Sequence, residues 1–127
     1  MKTSDKTSLA IVFCYGIFHL FIILQIIPFN IVWGGKIRSI ETILIFEGIA
    51  FLIMSFLGVV LAMKNRIVKP FFKDKTIKRI LLIFAVFFIL NTIGNLLAET
   101  NIEKIQAVLT LYLAIVLFKA SKQKQSL

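Results

Sequence analysis

Two residue types capable of proton chemistry sit inside otherwise apolar runs: His19, the one histidine, in FCYGIFHLFII, and Glu47 in LIFEGIAFLIM. An imidazole and a carboxylate so placed can relay a proton, act as general acid and base, or form half of a metal site. Zinc needs three or four protein ligands, and the one cysteine, Cys14, lies more than a helical turn from His19. No metal or cofactor is therefore expected, and a lone cysteine excludes an internal disulfide. Asn91, Asn95 and Glu99 follow at i, i+4 and i+8, and Glu103, Gln106 and Thr110 at i, i+3 and i+7, so each set forms one stripe of a helix. His19, Glu47, Asn91, Asn95, Gln106 and Thr110 are the candidates for ligand binding or a proton relay. Against this stands a structural reading, in which His19 makes a packing hydrogen bond and the asparagines hold helices together. The sequence has no phosphate loop, GxSxG or HExxH, and no residue is assigned a catalytic role.

Elements must position these groups, and composition says which. Of 127 residues, 59% are hydrophobic and only 17% charged, far from the balance of soluble domains. About 20 apolar residues cross ~30 Å of hydrocarbon at about 1.5 Å each, and four stretches qualify: 8–27, 40–63, 77–98 and 102–118. The fourth is weakest, its clean apolar part beginning at Ile105, but gains support as the second arm of a hairpin with the third. The N-terminal stretch lacks a small-x-small cleavage pattern and is long for a signal peptide, so it counts as a retained span. The expected fold is an all-α integral membrane four-helix bundle, up-down-up-down, forming one domain over 1–127.

Lysine and arginine orient it. Twelve lie before the first span, between Lys64 and Arg79, and after the fourth, against three at Lys36, Arg38 and Lys104. The positive-inside rule then puts both termini in the cytoplasm. Counting from the outer helix ends, His19 and Thr110 lie about 12–13 Å deep and Glu47 and Asn91 about 10 Å. Residues 80–90 have no polar side chain, and 111–118 have only Tyr112. A polar pocket in the outer half above an apolar floor is expected, with Glu47 turned into the bundle on a face shared with Phe51, Gly58 and Ala62. Buried there, Glu47 must pair with His19 or Lys104 or hold a proton, and a hydrogen bond to His19 or Asn91 is the specific expectation.

Two loops add detail. In PFNIVWGGKIRS, Pro28 is expected to end the first helix. Trp33, Gly34, Gly35, Lys36 and Arg38 form either an interfacial turn or a lid, whose two cations pair with the outer-rim acids Glu41, Glu99 and Glu103 or receive an anionic ligand. KNRIVKPFFKDKTIKR, residues 64–79, mixes cations with aromatics and suits anionic lipid headgroups. No nucleic-acid partner is expected, because nothing beyond charge resembles a reader of bases. The Pro28 and Trp33-Gly34-Gly35 loop, with Asn95-Leu96-Leu97-Ala98-Glu99 and Glu103-Lys104, resembles a group of small four-span bacterial membrane proteins of uncharacterised function. The resemblance implies a bacterial inner (plasma) membrane location and carries over no activity or site residues.

Three functions fit these constraints. The favoured one is a non-catalytic module that binds a lipid-like or peptide ligand in its outer pocket, or serves as an accessory or immunity-type subunit of a larger membrane partner. The second is a proton-coupled transporter for a small solute or ion, acting as an oligomer, a homo-oligomer included, or with a partner. The third is an intramembrane enzyme acting on a lipid or quinone through Glu47 or His19.

Overall fold

The computed structural model describes residues 3–27, 39–98 and 101–122. They form four helices: α1 (Thr3–Ile23), α2 (Ile40–Lys64), α3 (Asp74–Leu97) and α4 (Asn101–Lys122). Each is long and apolar enough to cross a membrane, as expected of a multi-pass membrane protein. Ile45, Leu52, Ile83, Leu90, Leu97, Ile105 and Val108 are exposed on α2, α3 and α4. In water such a surface would demand cover, whereas hydrocarbon solvates it directly.

The helix ends differ from the boundaries read from apolar content, some running past them and some stopping short. α1 begins at Thr3 rather than residue 8, and stops at Ile23 rather than continuing to residue 27 before Pro28. Its stop is local: Gln25 adopts φ 63, while its N–H bonds the Ile22 carbonyl at 2.9 Å and the Ile26 N–H bonds the Phe21 carbonyl at 2.9 Å. This is a Schellman motif with glutamine where glycine is usual. α2 ends the same way. Arg66 has φ 60, and its N–H and that of Ile67 bond Met63 and Ala62 carbonyls at 3.2 and 2.9 Å. The Asn65 amide nitrogen adds a bond to the Leu61 carbonyl at 2.9 Å. α3 opens at Asp74, three residues before the expected start, with an Asp74–Lys78 ion pair of 3.2 Å on its first turn. α4 extends to Lys122 instead of residue 118 and buries Ala120 and Ser121 on its last turn. It begins at Asn101, one residue before the expected start at 102.

Packing is pairwise. α3 lies most extensively against α4 and α1 against α2, while the two pairs meet each other over much smaller areas. They meet in a core of Leu57, Leu61, Leu81, Leu113 and Leu117, all essentially inaccessible, joined by Val12, Ile77 and Ala114. The half of the bundle holding this core is called basal below. Its edge is polar: Lys64 of α2 lies 3.7 Å from Asp5 of α1, both buried, and Ser8 is buried on the same side of α1. In the other, apical half, α1 and α2 keep their own small cluster of Ile22 and Ile43 with Phe18 and Ile27. Gly58 faces α1, where a Cβ would make an ordinary van der Waals contact with Val12 Cγ1 at 3.7 Å.

A non-glycine residue in the left-handed region costs about 1 kcal/mol. Gln25→Gly should therefore raise the stability of the detergent-solubilised protein by about that much, while β-branched Gln25→Val should lower it. The midpoint of thermal unfolding measures both, and equal midpoints for the three chains would remove the Schellman assignment.

Candidate functional site

Because the two pairs part in the apical half, a cavity of about 830 Å³ lies between them. α1 lines it with Tyr15, Phe18 and His19, and α2 with residues from Phe46 to Met54 including Glu47 and Ala50. From α3 come Phe87, Phe88, Asn91, Gly94 and Asn95, and from α4 Glu103, Gln106 and Thr110. Met54 and Phe88 also belong to the basal core, so the cavity rests directly on an apolar floor. All six candidate residues His19, Glu47, Asn91, Asn95, Gln106 and Thr110 are on its wall.

Glu47 is the most deeply buried of them, at 1% exposure. Its Oε2 is hydrogen-bonded to His19 Nδ1, so with the carboxylate ionised the imidazole N–H donates. This bond crosses from α2 to α1 and meets the desolvation of the carboxylate with a charge-assisted partner. Tyr15 stacks on the imidazole from one turn away, with centroids 6.4 Å apart, and Phe18 meets it edge-on at 6.0 Å. The Tyr15 hydroxyl is buried and, among the described residues, has no hydrogen-bond partner. Lys104, the alternative partner for Glu47, is exposed on α4 and does not line the cavity.

The other polar residues divide differently from expectation. The hydrogen bond that crosses from α3 to α4 joins Thr92 and Thr110 at 2.9 Å, whereas Asn91 and Asn95 line the cavity beside it. Each threonine also lies within bonding distance of a carbonyl of its own helix: Thr92 of Phe88 at 2.8 Å, and Thr110 of Gln106 at 3.1 Å and Ala107 at 3.2 Å. Each hydroxyl has one proton, so one donates across the interface and the other donates to its own backbone. Thr92 was missed because its neighbours Asn91 and Asn95 formed a clearer stripe. A threonine midway along an apolar helix, one turn past a phenylalanine, was the available signal.

Among the expected outer-rim acids, Glu41 is exposed on the first turn of α2, but Glu103 is buried and forms part of the cavity wall. Glu99 lies outside the described residues, as do the lid candidates Trp33, Gly34, Gly35, Lys36 and Arg38. Among the described residues no three His, Cys, Asp or Glu side chains converge as a metal site, and Cys14 is exposed away from the cavity. The arrangement can accept hydrogen bonds, hold a shared proton and sequester apolar groups. No protein-family model, curated protein or solved structure matches the chain.

Removing the donor from Glu47 by His19→Leu should destabilise the protein by about 1–3 kcal/mol, the penalty of a buried polar group that loses a partner. Adding Glu47→Gln to that chain should recover part of the loss, since a neutral amide is less costly to bury than a carboxylate. A double-mutant cycle of unfolding in detergent reads this coupling, and strict additivity of the two changes would show that the pair does not interact.

Proposed function

We propose that the chain is a multi-pass protein of a bacterial inner membrane, folded up-down-up-down with both termini cytoplasmic, and that it holds an amphiphilic, lipid-like ligand between its two helix pairs. It acts as a non-catalytic binding or accessory subunit. The observation that carries this reading is the cavity: about 830 Å³, within the ~300–1,000 Å³ of small-molecule sites, with a polar cluster and an aromatic wall in one space. An amphiphile satisfies both at once, with its head on His19, Glu47, Asn91 and Gln106 and its apolar part along Phe87, Leu90 and Ile49.

The orientation draws support from the contacts between helices. Asp5, near the start of α1, meets Lys64 at the end of α2, as antiparallel neighbours require. The basic segment after α2 exposes Ile67 and Phe71 among Arg66, Lys69 and Lys73, while Phe72 packs onto the core. That combination suits insertion among anionic headgroups of the inner leaflet. The exposed apolar faces leave room for a homo-oligomer or a larger membrane partner. A second reading, proton-coupled transport, is favoured by one feature, the hydrogen-bonded His19–Glu47 pair on the cavity wall.

Native mass spectrometry from a mild non-ionic detergent should find the protein carrying an amphiphile. Gly94→Phe should remove it, because a Cβ at Gly94 meets nothing within 4 Å and the added ring builds into the cavity. An unchanged load in a folded Gly94→Phe protein would overturn the binding site. Orientation is tested separately in a Cys14→Ser background. A membrane-impermeant maleimide should label Glu41→Cys on intact cells, and Lys75→Cys or Lys122→Cys only after the membrane is opened.

A further inference from the structure

Resting on the cavity as a binding site, we propose that its ligand is a bilayer lipid with an uncharged, oxygen-bearing head, which enters sideways from the membrane through a slot between α2 and α3 and leaves its chain lying in that slot. Exposure around the cavity wall locates the opening. Ile49 of α2 and Leu90 of α3 line the cavity, yet they are 51% and 63% exposed. Phe46, Phe87 and Leu97 share both properties. Among the described residues, those that α1 and α4 contribute to the wall are all buried or half-buried. A side chain open to the cavity and to the surroundings at once stands at a mouth, so the mouth lies between α2 and α3.

Helical phase explains its place. Phe46, Ile49, Ile53 and Phe56 follow at i, i+3, i+7 and i+10 on α2, and Phe84, Phe87, Asn91 and Gly94 do the same on α3. At their basal ends the two stripes touch. The Phe56 ring lies 6.3 Å from Phe84 and 6.4 Å from Phe72, within the range of paired aromatic rings. At the other end α3 offers only Gly94, where a Cβ would meet nothing within 4 Å. Rings close the seam at its base, and above them it stays open. Both helices are apolar enough to cross a membrane, so the medium at this apolar mouth is acyl chain, and a lipid chain already occupies the approach.

Passage through the slot selects the head. A charged group drawn between apolar walls loses its hydration at great cost, whereas a hydroxyl, ester or ketone loses far less and recovers it by hydrogen bonding. The cavity supplies neutral partners of that kind. The Tyr15 hydroxyl is buried and has no hydrogen-bond partner among the described residues, and the half-buried amides of Asn91, Asn95 and Gln106 line the same space, each with donors and an acceptor. Tyr15 on α1 and Gln106 on α4 form the wall opposite the mouth. The head therefore faces α1 and α4, and the chain trails out between α2 and α3.

The test uses the full-length protein in phosphatidylcholine vesicles containing a diacylglycerol or a phosphatidic acid, lipids that differ by the phosphate and carry the same diazirine next to one ester. After illumination, mass spectrometry of peptides should find adducts at Tyr15 and Gln106, at least about tenfold more from the diacylglycerol than from the phosphatidic acid. Narrowing the mouth with Ile49→Trp and Leu90→Trp together should abolish these adducts. The same change at Leu52 and Ile83, exposed positions away from the cavity, should leave them intact. Absence of adducts at Tyr15 and Gln106 in the wild type, equal labelling by the two lipids, or full labelling in the folded Ile49→Trp, Leu90→Trp protein would overturn the proposal. The wild-type comparison needs no variant to fold. If it fails while Gly94→Phe still strips a copurified amphiphile, the site stands and only this route and head class fall. If Gly94→Phe changes nothing either, the site falls as well.

Discussion

A carboxylate in the middle of an apolar helix fixes more of this structure than any other group. Glu47 is buried to 1% exposure, where an ion without a polar partner would be prohibitively unfavourable. The bond from His19 makes the position tenable, and in doing so it fixes the rotation of α1 against α2. Tyr15 and Phe18, one turn before and one residue before the imidazole, are then carried to the same wall. The aromatic surround of the cavity is thus a consequence of helical phase once the His19–Glu47 bond is made.

Three directional interactions lie within the pairs. His19–Glu47 and Asp5–Lys64 join α1 to α2, and Thr92–Thr110 joins α3 to α4. Between the pairs the described contacts are those of the apolar basal core. In hydrocarbon, packing of apolar helices gains van der Waals contact and little from the hydrophobic effect, because lipid tails are as apolar as leucine. Each pair is therefore the stiffer unit, and the seam between them, where the cavity lies, is the softer one.

Much of this was legible in residue order, and the failures have physical causes. Four spans follow from length and composition, and the apolar floor follows from the absence of polar residues in 80–90 and 111–118. Counting at about 1.5 Å per residue predicts one depth for His19, Glu47, Asn91 and Thr110, and all four line the same cavity. Rotation about the helix axis was harder to read, since isoleucine, leucine and phenylalanine surround each helix almost completely. So Glu103, on the first turn of α4, is buried on the cavity wall, and Thr92, whose hydroxyl is hidden between helices, is less conspicuous in the sequence than the neighbouring amides. The end of α1 failed for another reason: Pro28 marks where a helix cannot continue, whereas the Gln25 cap stops it earlier by a backbone turn available to many sequences.

The two polar regions of the bundle are kept apart. At one end the cavity gathers Glu47, Glu103 and their neighbours; at the other, Asp5, Ser8, Lys64 and Ser121 are buried near the helix ends. Between them lie Leu57, Leu61, Leu81, Leu113 and Leu117, all essentially inaccessible. A charge moving from the first region to the second would have to cross that block without a hydrogen-bond partner, which the side-chain chemistry forbids in this arrangement. Access from the far side would require the two helix pairs to shift across their apolar seam. Such a shift would leave the His19–Glu47, Asp5–Lys64 and Thr92–Thr110 contacts in place, because each of them lies inside a pair.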